Sequence, residues 1–342
     1  MCQKRYRAGL SCRHINFKNF GAKVISLGTI YESWMSFKNR HVISMKDFSR
    51  KEMDYILDTA EKLEPVARGE ERSRLLDGKI VALLFFEPST RTRLSFEVAA
   101  QRLGGQVLNL GSVEASSVMK GENLADTIRV ISNYADLIVL RHPLDGSARM
   151  AAEFASVPII NGGDGSVNHP TQTFLDLYTI RRESHLDGLR IAMAGDLKYG
   201  RTVHSLCHAL SLYGAEMIFV SPSELRMPSE IVKDLQKNKI SIKETDSLEE
   251  IIGDIDVLYM TRVQRERFPD PEEYEKVKNK LKITGDLLKH ADPNLKILHP
   301  LPRVNEISPE VDSTSHARYF QQAFYGVPIR MALLALAMGV IE

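Results

Sequence analysis

From position 41 onward, short apolar runs alternate with longer segments of helical period, and brief polar connections join the two kinds. That alternation predicts parallel α/β architecture, in which helices cross back over a sheet between successive strands. Strands are expected over residues 80–86, 106–110, 136–140 and 157–160, with amphipathic helices over 92–103 and 123–134 between them. The pair Gly104-Gly105 closes the first of these helices. The pattern restarts with strands over 189–194, 216–220, 240–243, 257–260 and 296–298 and helices that include 202–213 and 230–236. A helix over 170–183 joins the halves. The run 327–341 is apolar on every face, so it needs burial, and packing back onto the first half is expected. The expected fold class is α/β, with two doubly wound parallel-sheet domains and the active site in the cleft between them. One domain takes residues 41–169 plus 327–342 and the other 170–326, leaving 1–40 as an N-terminal extension.

Open α/β sheets bind ligands beyond the carboxyl ends of their strands, which makes the residues after each strand the candidates. Phe86 is followed by Glu87-Pro88-Ser89-Thr90-Arg91-Thr92-Arg93, Leu140 by Arg141-His142-Pro143, and Ile160 by a polar run ending in His169-Pro170-Thr171-Gln172. In the second half, 196–201, Ser221-Pro222, Arg262-Val263-Gln264 and Pro300-Leu301-Pro302-Arg303 hold the same position. The sharpest signal is 89–93. Pro88 stops the strand, Ser and Thr hydroxyls start a helix, and Arg91 adds a planar fork suited to phosphate oxygens. A plain helix cap at Ser89 with arginines in water would be the ordinary reading of a short Ser-Thr-Arg run. The strand-ending 85–88 context favours a phosphate cradle. No GxGxxG or GxxxxGK[ST] follows any strand, which weakens dinucleotide and Walker-type readings.

Length and charge narrow the class. A chain of 342 residues can support two cores, and 45 Lys plus Arg against 44 Asp plus Glu leave no basic excess for nucleic acid. Any bound anion must be met by local charge. The three cysteines, Cys2, Cys12 and Cys207, form no CxxC pair, which fits a reducing cytoplasm. No apolar run approaches the roughly 18–20 residues that span a bilayer. The first 34 residues carry six basic side chains and one acid, Glu32, a composition shared with transit peptides. An upstream start codon before Met35 or an expression leader is the favoured reading.

FEPSTRTR at 86–93 resembles the carbamoyl phosphate signature of the aspartate and ornithine carbamoyltransferases. Further segments match in order and at similar intervals: Arg141-His142-Pro143, His169-Pro170-Thr171-Gln172, the run 195–202, Thr261-Arg262-Val263-Gln264 and His299-Pro300-Leu301-Pro302-Arg303. The resemblance extends from about His41 to the end of the chain. Ser116 and Lys120, four apart in a polar loop, and HPLPR match the aspartate branch. The HPCQ, HCLP and SMG segments of the ornithine branch are missing. Charge agrees, because carbamoyl phosphate and aspartate together bring about four negative charges. Arg91, Lys120, Arg141, Arg201 and Arg262 are cations placed to meet them.

The resemblance implies the roles. Ser89, Thr90, Arg91 and Thr92 would hold the phosphate, with Ser116 and Lys120 contributing. Thr92, Arg141 and His169 would donate to the carbamoyl oxygen. Gln172 and the carbonyls of Leu301 and Pro302 would hold the carbamoyl amide, while Arg201, Arg262, Gln264 and Lys120 would grip aspartate. Such chemistry requires no metal, cofactor or covalent intermediate. The family's members are commonly homotrimers whose Ser116–Lys120 loop reaches a neighbouring subunit's site, and some bind a separate regulatory chain. Outside these roles, His204 and His208 are four apart on a helix but lack a third ligand. Asp196 and Lys198 are expected to support the strand end, and Arg93 and Arg303 are as open to structural ion pairs as to substrate.

Overall fold

The computed structural model describes residues 36–110, 121–165, 168–265, 268, 270–278 and 280–341. Its first sheet has four parallel strands, β1 (Ile80–Phe85), β2 (Gln106–Asn109), β3 (Leu137–His142) and β4 (Ile159–Asp164), in the order β2-β1-β3-β4. The second has β5 (Arg190–Ala194), β6 (Glu216–Val220), β7 (Ile242–Thr245), β8 (Val257–Met260) and β9 (Lys296–Leu298), ordered β7-β6-β5-β8-β9 and again parallel. Two parallel-sheet α/β domains are thus present, as the alternating pattern required.

The apolar runs have a physical cause. Successive residues of β1 enter different cores: Val81 and Leu83 join one cluster, Ala82 and Leu84 another. A strand covered on both faces needs apolar residues at every position. The cluster holding Val81 and Leu83 also takes Ile191, Met193 and Phe219 from the second sheet, so one continuous core lies between the halves. Two outer clusters cover the remaining faces.

The helices are α1 (Arg50–Arg68), α2 (Thr90–Arg102), α3 (Leu124–Ile131), α4 (Ser147–Phe154), α5 (Pro170–Glu183), α6 (Arg201–Ser211), α7 (Ser229–Lys237), α8 (Pro271–Val277), α9 (Gly285–Leu288) and α10 (Tyr319–Ala337). The long α1 was not expected, although its start is written in the sequence. Ser49 and Glu52 form a reciprocal capping box, and Gly69 closes the helix in the left-handed region. Helix α10 begins upstream of the expected 327, with Pro328 inside it, and packs against α1, α2 and α5. Strands β3 and β4 run further than expected, so Arg141 and His142 lie within β3 rather than after it.

Candidate active site

Each sheet has one place where the chain reverses its direction of strand addition. In the first it falls between β1 and β3, in the second between β5 and β8. Crevices form beyond the strand ends at such points. Both crevices open into a single cavity of about 810 Å³.

The first sheet contributes the turn after β1. Phe86 still donates its N–H to the Arg141 carbonyl at 2.8 Å, but Pro88 has no N–H and pairing stops. Ser89 then takes an extended conformation as the N-cap of α2, and its side chain makes no capping bond. First-turn N–H groups of a helix lack intrahelical partners and carry the positive end of its dipole. Ser89, Thr90, Arg91 and Thr92 all line the cavity. Arg141 reaches it from β3, with its Nη1 donating to the Gly162 carbonyl at 3.0 Å. Gly163, with φ of +117°, makes this approach possible, because a Cβ there would sit 2.7 Å from Arg141 Nη1. His169 is the N-cap of α5, Pro170 opens that helix, and Gln172 follows within its first turn. From the second sheet come Arg201 at the start of α6, Arg262 and Gln264 after β8, and the turn of Pro300, Leu301 and Pro302 after β9.

The charge of this wall is one-sided. Among the described lining residues, Arg91, Arg141, Arg201, Arg262 and Arg330 face a single carboxylate, Glu87. Glu87 pairs with Arg141, and its Oε1 lies 3.6 Å from Arg201 Nη2. Burial, and then the Arg201 charge, push the Arg141 guanidinium down to about 10 despite Glu87. Partial desolvation and the neighbouring Arg262 charge lower Arg91 as well, although its side chain is exposed. His169 is held well below the usual imidazole range by burial and by Arg141, Arg201 and Arg330, so it is neutral near pH 7. A neutral imidazole suits donation to a carbonyl oxygen. Cations gathered in this way on one cavity make a receptor for polyanions.

Models of the aspartate/ornithine carbamoyltransferase family match most of the chain. Its carbamoyl-P binding domain covers residues 40–182 and its Asp/Orn binding domain residues 187–337. The chain belongs to the aspartate/ornithine carbamoyltransferase family. The aspartate carbamoyltransferase catalytic subunit of Methanosarcina acetivorans is 89% identical over 308 residues, covering 90% of this chain and all of the relative. Among solved structures, the catalytic subunit of M. jannaschii aspartate transcarbamoylase superposes with a TM-score of 0.82 at 57% identity, over 86% of this chain and 97% of that one. The Trypanosoma cruzi aspartate transcarbamoylase in complex with carbamoyl phosphate and aspartate gives 0.82 at 38% identity, over 88% and 96%.

Within this carbamoyltransferase, twelve residues read from the sequence border one cavity: Ser89, Thr90, Arg91, Thr92, Arg141, His169, Gln172, Arg201, Arg262, Gln264, Leu301 and Pro302. Ser116 and Lys120 lie outside the described residues. The residues set apart as supporting have other partners. Arg303 pairs with Asp312 through both terminal nitrogens, and Asp196 accepts backbone N–H groups from Tyr199 at 2.9 Å and Gln264 at 3.3 Å. His204 meets the Leu197 carbonyl through Nε2 at 2.7 Å and lines a separate cavity with His208. Among the described residues no group of three potential metal ligands occurs. Two charged lining residues were not singled out in the sequence. Glu87 stood inside the signature without a role, and Arg330 was hidden in an apolar helix.

Proposed function

We propose that the chain transfers the carbamoyl group from carbamoyl phosphate to the α-amine of L-aspartate, giving N-carbamoyl-L-aspartate and phosphate. This is an early committed step of de novo pyrimidine biosynthesis. The observation that carries the reading is the five-arginine, one-glutamate wall at the meeting of two strand-end crevices. The T. cruzi neighbour holding both substrates supports it. The aspartate nitrogen attacks the carbamoyl carbon, charge develops on the carbonyl oxygen, the carbon–oxygen bond to phosphate breaks, and phosphate departs with the amine's proton. Thr92, Arg141 and His169 donate to the developing oxyanion, where preorganised donors act most strongly. Ser89, Thr90, Arg91 and Thr92, with Ser116 and Lys120, receive the phosphate. Gln172, Leu301 and Pro302 hold the carbamoyl amide, and Arg201, Arg262, Gln264 and Lys120 take the aspartate carboxylates. Ornithine, bringing an amine where this wall presents cations, would be repelled.

With labelled carbamoyl phosphate, the protein is expected to form carbamoyl-aspartate and no citrulline when offered aspartate and ornithine separately. Citrulline as the main product would overturn the assignment.

The division into residues 41–169 plus 327–342 and 170–326 is proposed for the two substrate domains, and the packing of α10 on α1 and α2 of the first supports the return of the chain end to it, while α10 also meets α5 where the second begins. A cytoplasmic homotrimer is proposed as the working form, with a separate regulatory chain as a further partner. Leu94 and Val98 on α2 and Leu108 on the edge strand β2 are exposed apolar side chains on neighbouring elements, which supports coverage by another chain. In such a trimer Lys120 acts on a neighbour's site. Inactive Lys120→Ala and Arg91→Ala chains, unfolded and refolded together, are expected to regain activity in mixed trimers. Mixed trimers that form by size but stay inactive, under conditions that refold the wild type, would place Lys120 in its own chain's site.

A further inference from the structure

Asp176 lies one turn beyond Gln172 on α5, fully buried and outside the cavity wall. Its Oδ1 accepts from Gln172 Nε2 at 2.9 Å and from Gln322 Nε2 at 2.7 Å, and its Oδ2 accepts from the Tyr259 hydroxyl at 2.8 Å. Gln322 in turn accepts the His299 N–H on its Oε1 at 2.8 Å, and His299 Nδ1 accepts the Leu301 N–H at 2.8 Å. One carboxylate therefore ties α5, β8, α10 and the turn after β9 together.

An ionised carboxylate only accepts, so an amide beside it must turn its NH2 inward and its oxygen away. The Gln322 oxygen meets His299. The Gln172 oxygen is turned away from Asp176 on a residue that lines the cavity. We propose that Asp176 is a positioning residue: it fixes Gln172 with its oxygen as an acceptor and, through Gln322, sets the turn bearing the Leu301 and Pro302 carbonyls. The cavity then offers acceptors where a carbamoyl group carries its NH2, and selects it over an acyl group carrying a methyl. This selection rests on the carbamoyl-transfer reading.

The buried charge has a counter-charge. Arg330 of α10 is itself buried, lies 5.1 Å over the Phe96 ring and places Nη2 3.5 Å from Thr171 Oγ1. Gly326, one turn earlier, leaves the room for it, since a Cβ there would collide with Arg330 Nη1. Burial raises the Asp176 acid to about 7 against the pull of its three donors and Arg330, so assays at about pH 8.5 keep it ionised.

The test compares carbamoyl phosphate with acetyl phosphate, which has a methyl in place of the NH2. In Asp176→Ala, carbamoyl phosphate affinity is expected to fall roughly 10- to 100-fold while acetyl phosphate affinity, measured by competition, stays within about threefold. Gln322→Met, which leaves Asp176 bonded to Gln172 and Tyr259 but removes both the donation from Gln322 and the acceptor for the His299 N–H, is expected to show the same selective loss to a smaller degree, and decides the matter if Asp176→Ala does not fold. Equal losses for the two ligands, or an unchanged ratio, would overturn the proposal. A wild-type protein that makes no carbamoyl-aspartate would instead defeat the reaction assignment.

Discussion

Arg91→Ala is expected to lower kcat at least 10²- to 10³-fold, roughly the loss found when one preorganised donor to a developing charge is removed. The expectation follows from where the guanidinium sits. Arg91 occupies the first turn of α2, exposed but close enough to Arg262 for the two charges to disfavour each other, and partial desolvation adds to that cost. A cation kept in such surroundings is stabilised when an anion arrives, and the departing phosphate gains charge as the carbon–oxygen bond breaks. Its interaction with Arg91 is thus stronger in the transition state than in the ground state, which is the condition for an effect on kcat as well as KM. The competing reading, an arginine on a solvated helix turn, predicts almost no change. Steady-state turnover with both substrates saturating separates the two, with circular dichroism to establish folding. A folded variant within about threefold of wild type would remove Arg91 from the phosphate cradle.

What could be read in the sequence follows from what a parallel sheet demands. Strand β8 is buried throughout and β1 and β3 at all but end residues, and that requirement writes itself as apolar runs. Because crevices lie beyond strand ends, the same runs pointed to the residues that border the cavity, and the family resemblance chose among them. Arg141 was found this way even though β3 continues past it, since an error of two residues at a strand end still points at the same crevice. Asp176 left no such trace. In sequence it is one polar residue between Leu175 and Leu177, and its partners Tyr259 and Gln322 stand 83 and 146 positions away. Arg330 was equally silent, a lone cation in a helix whose apolar character on all sides indicated burial and nothing more. Helix α1 was missed for a different reason. Its capping box at Ser49 and Glu52 was legible but was not read as a helix start.

A single molecule joining a phosphonate to aspartate is expected to bind at least about a thousandfold more tightly than either substrate alone. Two contributions support that size. Covalent joining spares the translational and rotational entropy of assembling two ligands, which is worth several kcal/mol when both ends reach their sites unstrained. The cavity adds an electrostatic one, because Arg91, Arg141, Arg201, Arg262 and Arg330 line it together, and a polyanion bound among them is attracted by all five. At ligand concentrations near 1,000 times Kd, binding to the folded state adds about 4 kcal/mol of stability, seen as an upward shift of Tm by several degrees. Arg262→Ala divides the two ends. Since Arg262 follows β8 of the second sheet and the phosphate cradle follows β1 of the first, the variant should still bind carbamoyl phosphate nearly as wild type by calorimetry. It should lose most of the joined ligand's advantage, with KM for aspartate rising roughly 10- to 100-fold. Loss of carbamoyl phosphate binding in Arg262→Ala, or a joined ligand no tighter than the better single substrate, would show that the two anions do not occupy opposite walls of this cavity.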